Sequence, residues 1–341
     1  MTGKCFLVCR AVVSSGILIL ERTHPMNNSL TILVLIRRNG MKRRGSWLEF
    51  PVGETGPVHI NDFLLQQVGA SKGVIAHYRK TEGLMLNGSL LHEENPRVEK
   101  GDTVSLEVFK PEKEEIIPEF RELDILFEDE HLIALNKPAG MKTHPNEAKE
   151  TGTLANALAF YYMMQGEERA VRHVHRLDED TSGAILFAKH ALAQSVMDRA
   201  LQEHEISRTY IAAVHGQPKP KKGTIDKPIG RDRHHSSRRR VSAGGQSAVT
   251  HYELLKSSGS ESVLRIQLET GRTHQIRVHL SHIGHPIIGD KLYGKPSGMI
   301  DRQALHAARI RFRHPLTNEE MHLCAPFPED MIRWETKESH G

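Results

Sequence analysis

The residues best suited to chemistry fall in one run, His175-Arg176-Leu177-Asp178-Glu179-Asp180-Thr181-Ser182-Gly183, which leads into the apolar stretch Ala184 to Ala188. A polar cluster feeding a buried strand gathers several reactive side chains at one rim. The chemistry open to such a cluster is carboxylate chemistry. A hydrolase would want two working carboxylates. Asp180 is a poor partner for Asp178, because it follows by two residues and can serve simply to stabilise the turn. The run also reads as a surface turn, with Asp180 or Thr181 bonding nearby backbone and Ser182-Gly183 completing it.

Other clusters carry less. His274, His279, His282 and His285 crowd one stretch and invite a zinc reading. A zinc site needs its donors on one face, whereas His274, His279 and His282 point around a helix. No glycine-rich phosphate loop of the P-loop or dinucleotide type occurs. Cys5, Cys9 and Cys324 are too few and too scattered for a disulfide framework and suit a reducing compartment.

The elements that must position these residues follow from periodicity. His131 to Leu135 reads as a buried strand stopped by Lys137-Pro138-Ala139-Gly140, and Thr153 to Met163 as a helix. Ala184 to Ala188 is a strand followed by a helix from Ala191 to His204, and Tyr210 to Val214 another strand. Over residues 263–269, Leu264, Ile266 and Leu268 alternate with Arg265, Gln267 and Glu269. After Gly271 the period changes, and Ile276, Leu280 and Ile283 form one helical stripe. The pattern is mixed α+β, without a regular βαβ rhythm.

Ahead of this part, residues 57–110 read as a small module: a helical stretch from Asn61 to Val68, then Ser71 to Lys80, a turn at Asn87-Gly88 and the strand Thr103 to Val108. An acidic linker spans 111–124. Residues 1–45 form an extension that need not be ordered, with Met41 as an alternative start of folded sequence. Its apolar stretch Ala11 to Leu20 is about half as long as a membrane span. It is not followed by a small-residue cleavage site but by Arg37-Arg38 and Lys42-Arg43-Arg44, so the expectation is a cytoplasmic protein without membrane attachment.

Net charge is only +4, but it is uneven. Lys219 to Arg240 holds nine Lys or Arg against two Asp, a local +7, while Glu112 to Glu130 is a local −7. Either run suits a solvated face. The basic one, with Arg231, Arg238, Arg239 and Arg240, equally suits a segment that tracks phosphates. Aromatic residues are 5% of the chain, so any base-stacking site rests on a few individual rings.

The His175–Gly183 run resembles the signature His-Arg-Leu-Asp-x-x-Thr-Ser-Gly of the RluA-type pseudouridine synthases. Ser207-Arg208-Thr209-Tyr210-Ile211-Ala212-Ala213-Val214-His215-Gly216 is similar to that family's second motif, and Leu268 to His279 resembles its third. Shorter landmarks follow in order: Asn136 to Gly140, Gly223 to Arg231, Gly284 to Asp290, and Gln303 to Ala307. The resemblance covers about residues 125–330 and implies a catalytic domain, expected over residues 125–337, built on a mixed, largely antiparallel sheet. It implies that Asp178 is the nucleophile, that Tyr210 lies in the active site, and that Arg277 pairs with Asp178. Without it, Tyr210 reads as an ordinary strand aromatic half in the core.

The implied reaction isomerises uridine in RNA, with neither metal nor other cofactor. Arg176 would fill the gap left by the flipped base or hold a flanking phosphate, with Arg272 and the basic segment also on RNA. Residues 57–110 resemble an S4-type RNA-binding domain, a small α+β fold, with Lys72, Arg79 and Lys80 toward phosphates. Its entry, His59-Ile60-Asn61-Asp62, and its Ser71-Lys72 depart from that pattern. The S4-like module favours large-subunit ribosomal RNA as substrate over transfer RNA, and the chain is expected to act as a monomer. The competing reading is a non-catalytic RNA-binding or ribosome assembly factor, for which loss of the nucleophile would be the mark. Asp178 is present.

Overall fold

The computed structural model describes residues 40–53, 56–113 and 115–336. Most of the sequence-expected extension, residues 1–39, lies outside the described residues, as does residue 337 at the end of the larger part.

The first part carries a five-stranded antiparallel sheet in the order β1 (Lys42–Arg44), β2 (Trp47–Pro51), β7 (Thr103–Leu106), β4 (Leu84–Leu86) and β5 (Ser89–Leu90). β3 (Val58–His59) pairs separately with β6 (Arg97–Val98). Asn87 and Gly88 both have positive φ, 52° and 81°, between the paired Leu86 and Ser89. A two-residue turn of that hand matches strand twist, which is why an Asn-Gly pair closes this hairpin. The short helix α1 (Ile60–Asp62) runs on as a π-helix, Phe63–Val68, and α2 (Lys72–Lys80) is capped by Ser71, whose hydroxyl accepts from the Val74 amide. The sheet takes in Lys42–Arg44 and Trp47–Pro51, the first of which the sequence had assigned to the extension. Residues 115–124 form a strap without regular structure along α3 (Leu154–Met164), where Asn156 donates to the Ile117 carbonyl.

The larger part is a ten-stranded, mostly antiparallel sheet. Its main path is β13 (Lys222–Asp226), β16 (Val249–Ser258), β17 (Glu261–Leu268), β12 (Ser207–His215), β18 (Leu305–Arg313), β11 (Ser182–Ala188), β9 (Leu132–Lys137) and β8 (Ile125–Glu128). β10 (Arg172–His173) pairs with β11, and β19 (Glu320–Cys324) with β18. A separate hairpin, β14 (Ile229–Arg231) with β15 (Arg239–Val241), carries the basic segment. The helices beside the sheet are α3, capped by Thr153 and Asn156 in a reciprocal box, α4 (Ala191–Gln202) and α5 (Gln275–His282).

Two apolar clusters sandwich the sheet. One joins Leu48, Leu64 and Val104 of the first part to Leu132, Leu186 and Phe312 of the sheet, so the two parts share a core. Polar contacts reinforce it. Arg199 of α4 donates to the carbonyls of Leu65, Gly69 and Ala70, and the Ser195 hydroxyl accepts from the Ser71 amide. The other cluster, with Leu158, Phe187, Tyr210 and Ile266, lies on the side of the candidate site.

Among the described residues, only β11 and β18 pair in parallel, Ser182 beside His306 and Gly183 beside Ala307. Gly183 has φ +114°, and a Cβ there would sit 2.2 Å from the Ala307 carbonyl oxygen. No side-chain rotation relieves a clash with backbone. Gly183→Ala is therefore expected to cost about 3 kcal/mol or more, the sum of overpacking and a forced backbone. Urea denaturation of the purified variant measures it, and a loss below 1 kcal/mol would mean the two strands separate freely.

Candidate active site

The turn that presents Asp178 precedes β11 and closes with the Thr181 amide donating to the Asp178 carbonyl, 3.0 Å. Leu177, just before, is gripped by Thr143. The threonine hydroxyl donates to the Leu177 carbonyl at 3.0 Å and accepts from its amide at 3.2 Å. Lys137, at the end of β9, is fully buried, and its Nζ donates to the carbonyls of Pro138, Met141 and Glu179 at 2.6–2.8 Å. Burial pulls its pKa down to about 7, opposed by the charges of Asp178 and Asp180. Three carbonyl acceptors match the three protons of the charged ammonium.

Arg277 projects from α5 to the same place. Its Nη1 donates to Asp178 Oδ2 at 3.2 Å, while Nε and Nη2 grip both oxygens of Asp290 at 2.8 and 2.9 Å. Asp290 is completely buried and also accepts from the amides of Leu292 and Tyr293. Burial opposes the guanidinium charge, but the hydrogen bonds it donates to Asp290 and the charges of Asp178 and Asp290 outweigh it, and the Arg277 pKa lies above its usual range. Arg277 is thus a permanent cation between two carboxylates, one buried and one, Asp178, partly open with a side chain 19% exposed.

Tyr210 on β12 is 4% exposed. Burial raises its pKa, Arg208 lowers it and Asp178 raises it, so the phenol is neutral beside the carboxylate. Tyr293 closes another side, with its ring 5.1 Å from the Arg277 guanidinium carbon. Its hydroxyl accepts from the Arg239 amide at 2.7 Å and donates to His274 Nδ1 at 2.9 Å, a direction that fits a His274 whose pKa burial has lowered. The basic hairpin β14–β15 is thereby tied to the start of α5.

Among the residues singled out from sequence, Asp178 and Arg277 are in contact, and Tyr210 lies within reach of the Asp178 charge. Arg176 is exposed two residues before Asp178. Arg231, Arg238 and Arg240 are exposed on the hairpin and Arg239 is half-buried, while exposed Arg272 donates from Nε to the Ser247 carbonyl. Lys72 and Lys80 are exposed on α2, but Arg79 is turned inward, donating to Asn61 Oδ1 and the Glu93 carbonyl. The crowded histidines bond to protein groups: His279 to Thr250 and the Lys227 carbonyl, His285 to the His215 carbonyl. Among the described residues no group of three or more His, Cys, Asp or Glu is placed to hold a metal. Nor is any helix long and apolar enough to cross a membrane. Sequence reasoning missed Lys137, Asp290 and Tyr293 as members of the site, because each acts across a turn or between elements.

The partly open Asp178 thus forms an ion pair with buried Arg277 ahead of β11, with the neutral Tyr210 phenol within reach of its charge and a basic hairpin tied to the start of α5. Comparison with known proteins places the chain further. The family model for RNA pseudouridylate synthase matches residues 131–282. The chain is 49% identical over 295 residues to the uncharacterized RNA pseudouridine synthase YhcT of Bacillus subtilis, a match covering 85% of this chain and 97% of the relative. It is 37% identical over 276 residues to ribosomal large subunit pseudouridine synthase D of Escherichia coli, covering 77% and 84%. Among solved structures, human RNA pseudouridylate synthase domain containing 1 superposes with a TM-score of 0.51 at 27% identity, covering 61% of this chain and 84% of that one. The chain belongs to the RNA pseudouridine synthases, and within them to the RluA type.

Proposed function

We propose that this pseudouridine synthase modifies uridines of large-subunit ribosomal RNA, with Asp178 as nucleophile, Arg277 as its cationic partner and Tyr210 against the base. The contact between Asp178 and Arg277 carries the reading. In the reaction the N1–C1′ bond of uridine breaks, the uracil turns, C5 bonds to C1′, and the C5 proton leaves. Asp178 must be ionised to attack or stabilise the electron-poor sugar carbon, and a guanidinium beside it favours that form. No redox or phosphoryl step arises, so the residues of the chain suffice.

The uridine must leave its stack first, at a cost of a few kcal/mol. Exposed Arg176 is placed beside the nucleophile to occupy the vacated space or a flanking phosphate. Arg231, Arg238, Arg239, Arg240 and Arg272 supply positive charge for the backbone around the target. Lys72 and Lys80 on the S4-like first part extend that charge, with Arg79 serving to hold the module together. The rRNA assignment is supported by the likeness to a large-subunit enzyme and by that module. A monomer acting in the cytoplasm fits a substrate made there.

Mapping pseudouridines in ribosomal and transfer RNA from cells with and without the gene tests the substrate. Sites lost only from transfer RNA would overturn the rRNA assignment. Tyr210→Phe tests the tyrosine. It keeps the ring for stacking and removes the hydroxyl, so RNA affinity should hold within twofold. If that hydroxyl helps take the C5 proton, tritium release from RNA labelled at C5 falls about 100-fold or more. Unchanged release would exclude the hydroxyl from the reaction.

A further inference from the structure

Among the described residues, the Asp178 carboxylate receives one hydrogen bond, from Arg277 Nη1, and at 3.2 Å it is long for a charge-assisted pair. One such bond does not fix the direction of a carboxylate. The remaining constraint must come from the backbone of its turn, and a second arginine, remote in sequence, holds that backbone. Arg302 is 8% exposed. Its Nη1 donates to the carbonyl of Asp180 at 3.2 Å, and to those of Gln303 and Leu305 at 3.1 and 3.2 Å. Its Nη2 reaches the Ser182 hydroxyl at 3.3 Å. The next residue, Gln303, donates to the Thr181 hydroxyl at 3.3 Å, and Ser182 pairs with His306 where β11 meets β18. Three consecutive residues of the turn, Asp180, Thr181 and Ser182, are therefore gripped by one short segment.

Arg302 is itself aimed by Asp330. Nε and Nη2 meet the two carboxylate oxygens at 2.7 and 2.8 Å, a forked pairing that sets the plane of the guanidinium and leaves Nη1 facing the turn. Asp330 belongs to the C-terminal 3-10 helix, Glu329–Trp334, which is anchored by fully buried Met331 and by Trp334 donating to Glu261. The Asp330 side chain is 47% exposed, so it is not needed to fill the core.

We propose that Arg302 is a positioning residue for the nucleophile, aimed by Asp330, and that the C-terminal helix is thereby part of the apparatus that sets Asp178. This rests on Asp178 being the nucleophile. The role is one of angle. A turn released at Asp180 and Ser182 still forms, because the Thr181 amide bond to Asp178 remains. The carboxylate then samples directions away from the sugar carbon, and a misplacement of about 1 Å costs on the order of 100-fold in rate.

The test uses Asp330→Ala, Asp330→Glu and Arg302→Lys in the full chain, with Asp178→Asn alongside. Single-turnover tritium release, RNA affinity by filter binding and melting temperature are measured for each. Asp330→Ala should slow release about 10- to 100-fold with affinity within twofold of the parent, a split that simple loss of structure does not give. Asp330→Glu should recover part of the rate. Arg302→Lys keeps a cation beside Asp330 but loses the fork and the bond to the Asp180 carbonyl, and should slow release to a similar degree while still melting cooperatively. Folded Asp330→Ala and Arg302→Lys proteins that release tritium at the parent rate would overturn the proposal. So would a loss confined to affinity. Activity of Asp178→Asn equal to the parent would instead overturn the assignment of the nucleophile.

Discussion

Asp178→Asn is expected to lower tritium release from C5-labelled RNA by at least about 10,000-fold, the scale of losing an enzyme's nucleophile. The fold should be nearly untouched, for reasons the site makes explicit. Asn has the same shape, and its side-chain oxygen can still accept from Arg277 Nη1. Arg277 keeps both bonds to buried Asp290, so no cation is left buried and unpaired. Asp178 is partly exposed, so losing its charge should change stability by no more than about 1 kcal/mol. A large loss of activity with an unchanged melting transition therefore assigns chemistry, not structure, to this side chain. RNA from cells lacking the gene should be the substrate, so that target uridines are unmodified. Equal release by both proteins would show that Asp178 is not the nucleophile. No release by either, with both folded and bound to RNA, would favour a scaffold.

What the sequence revealed was chiefly local. The alternation of Leu264 and Ile266 marked β17, observed as Glu261–Leu268, because a strand buried on one face must repeat every two residues. The stripe through Ile276 and Leu280 marked α5, and Thr153 stands as the N-cap of α3. The run around Asp178 reads both as a reactive cluster and as a surface turn. Its backbone does close a turn, yet Ser182 and Gly183 belong to β11. Gly183 is required by the approach of another strand, a contact made across more than a hundred residues of chain.

Pairing at long range was the hidden part. Nothing near Trp47 announces that Leu48 lies beside Leu106, so the first two strands fall outside the module, 57–110, that they complete. Lys137 reads as the polar stop of a strand, whereas it is a buried amine that donates to the turn carrying Asp178. Asp290 enters the sequence reading only as the end of the landmark Gly284 to Asp290, with no role of its own. It does bond two amides of its own turn, and its role toward Arg277 emerges only once α5 is packed against it. Arg79 looked like a phosphate ligand for want of any local sign that Asn61 and Glu93 would occupy it.

That buried pair allows stability to be separated from catalysis. Arg277→Met should cost about 3–5 kcal/mol, because it strands the carboxylate of Asp290 in a site from which water is excluded. The same variant should lose tritium release, but loss of structure alone could explain that. Adding Asp290→Asn removes the stranded charge while leaving an oxygen to accept from the Leu292 and Tyr293 amides. Uncharged, well-packed replacements of a buried ion pair are often close to neutral. The double variant should therefore return to within about 1 kcal/mol of the parent in urea denaturation, the signature of coupling within the pair. Its activity should stay at least about 1,000-fold down, since the guanidinium that contacts Asp178 is then gone. Recovery of stability together with activity would mean that Arg277 serves only to neutralise Asp290. An Arg277→Met protein as stable as the parent would mean that Asp290 finds another partner, and the aspartate–arginine–aspartate chain would not be the element that holds this site.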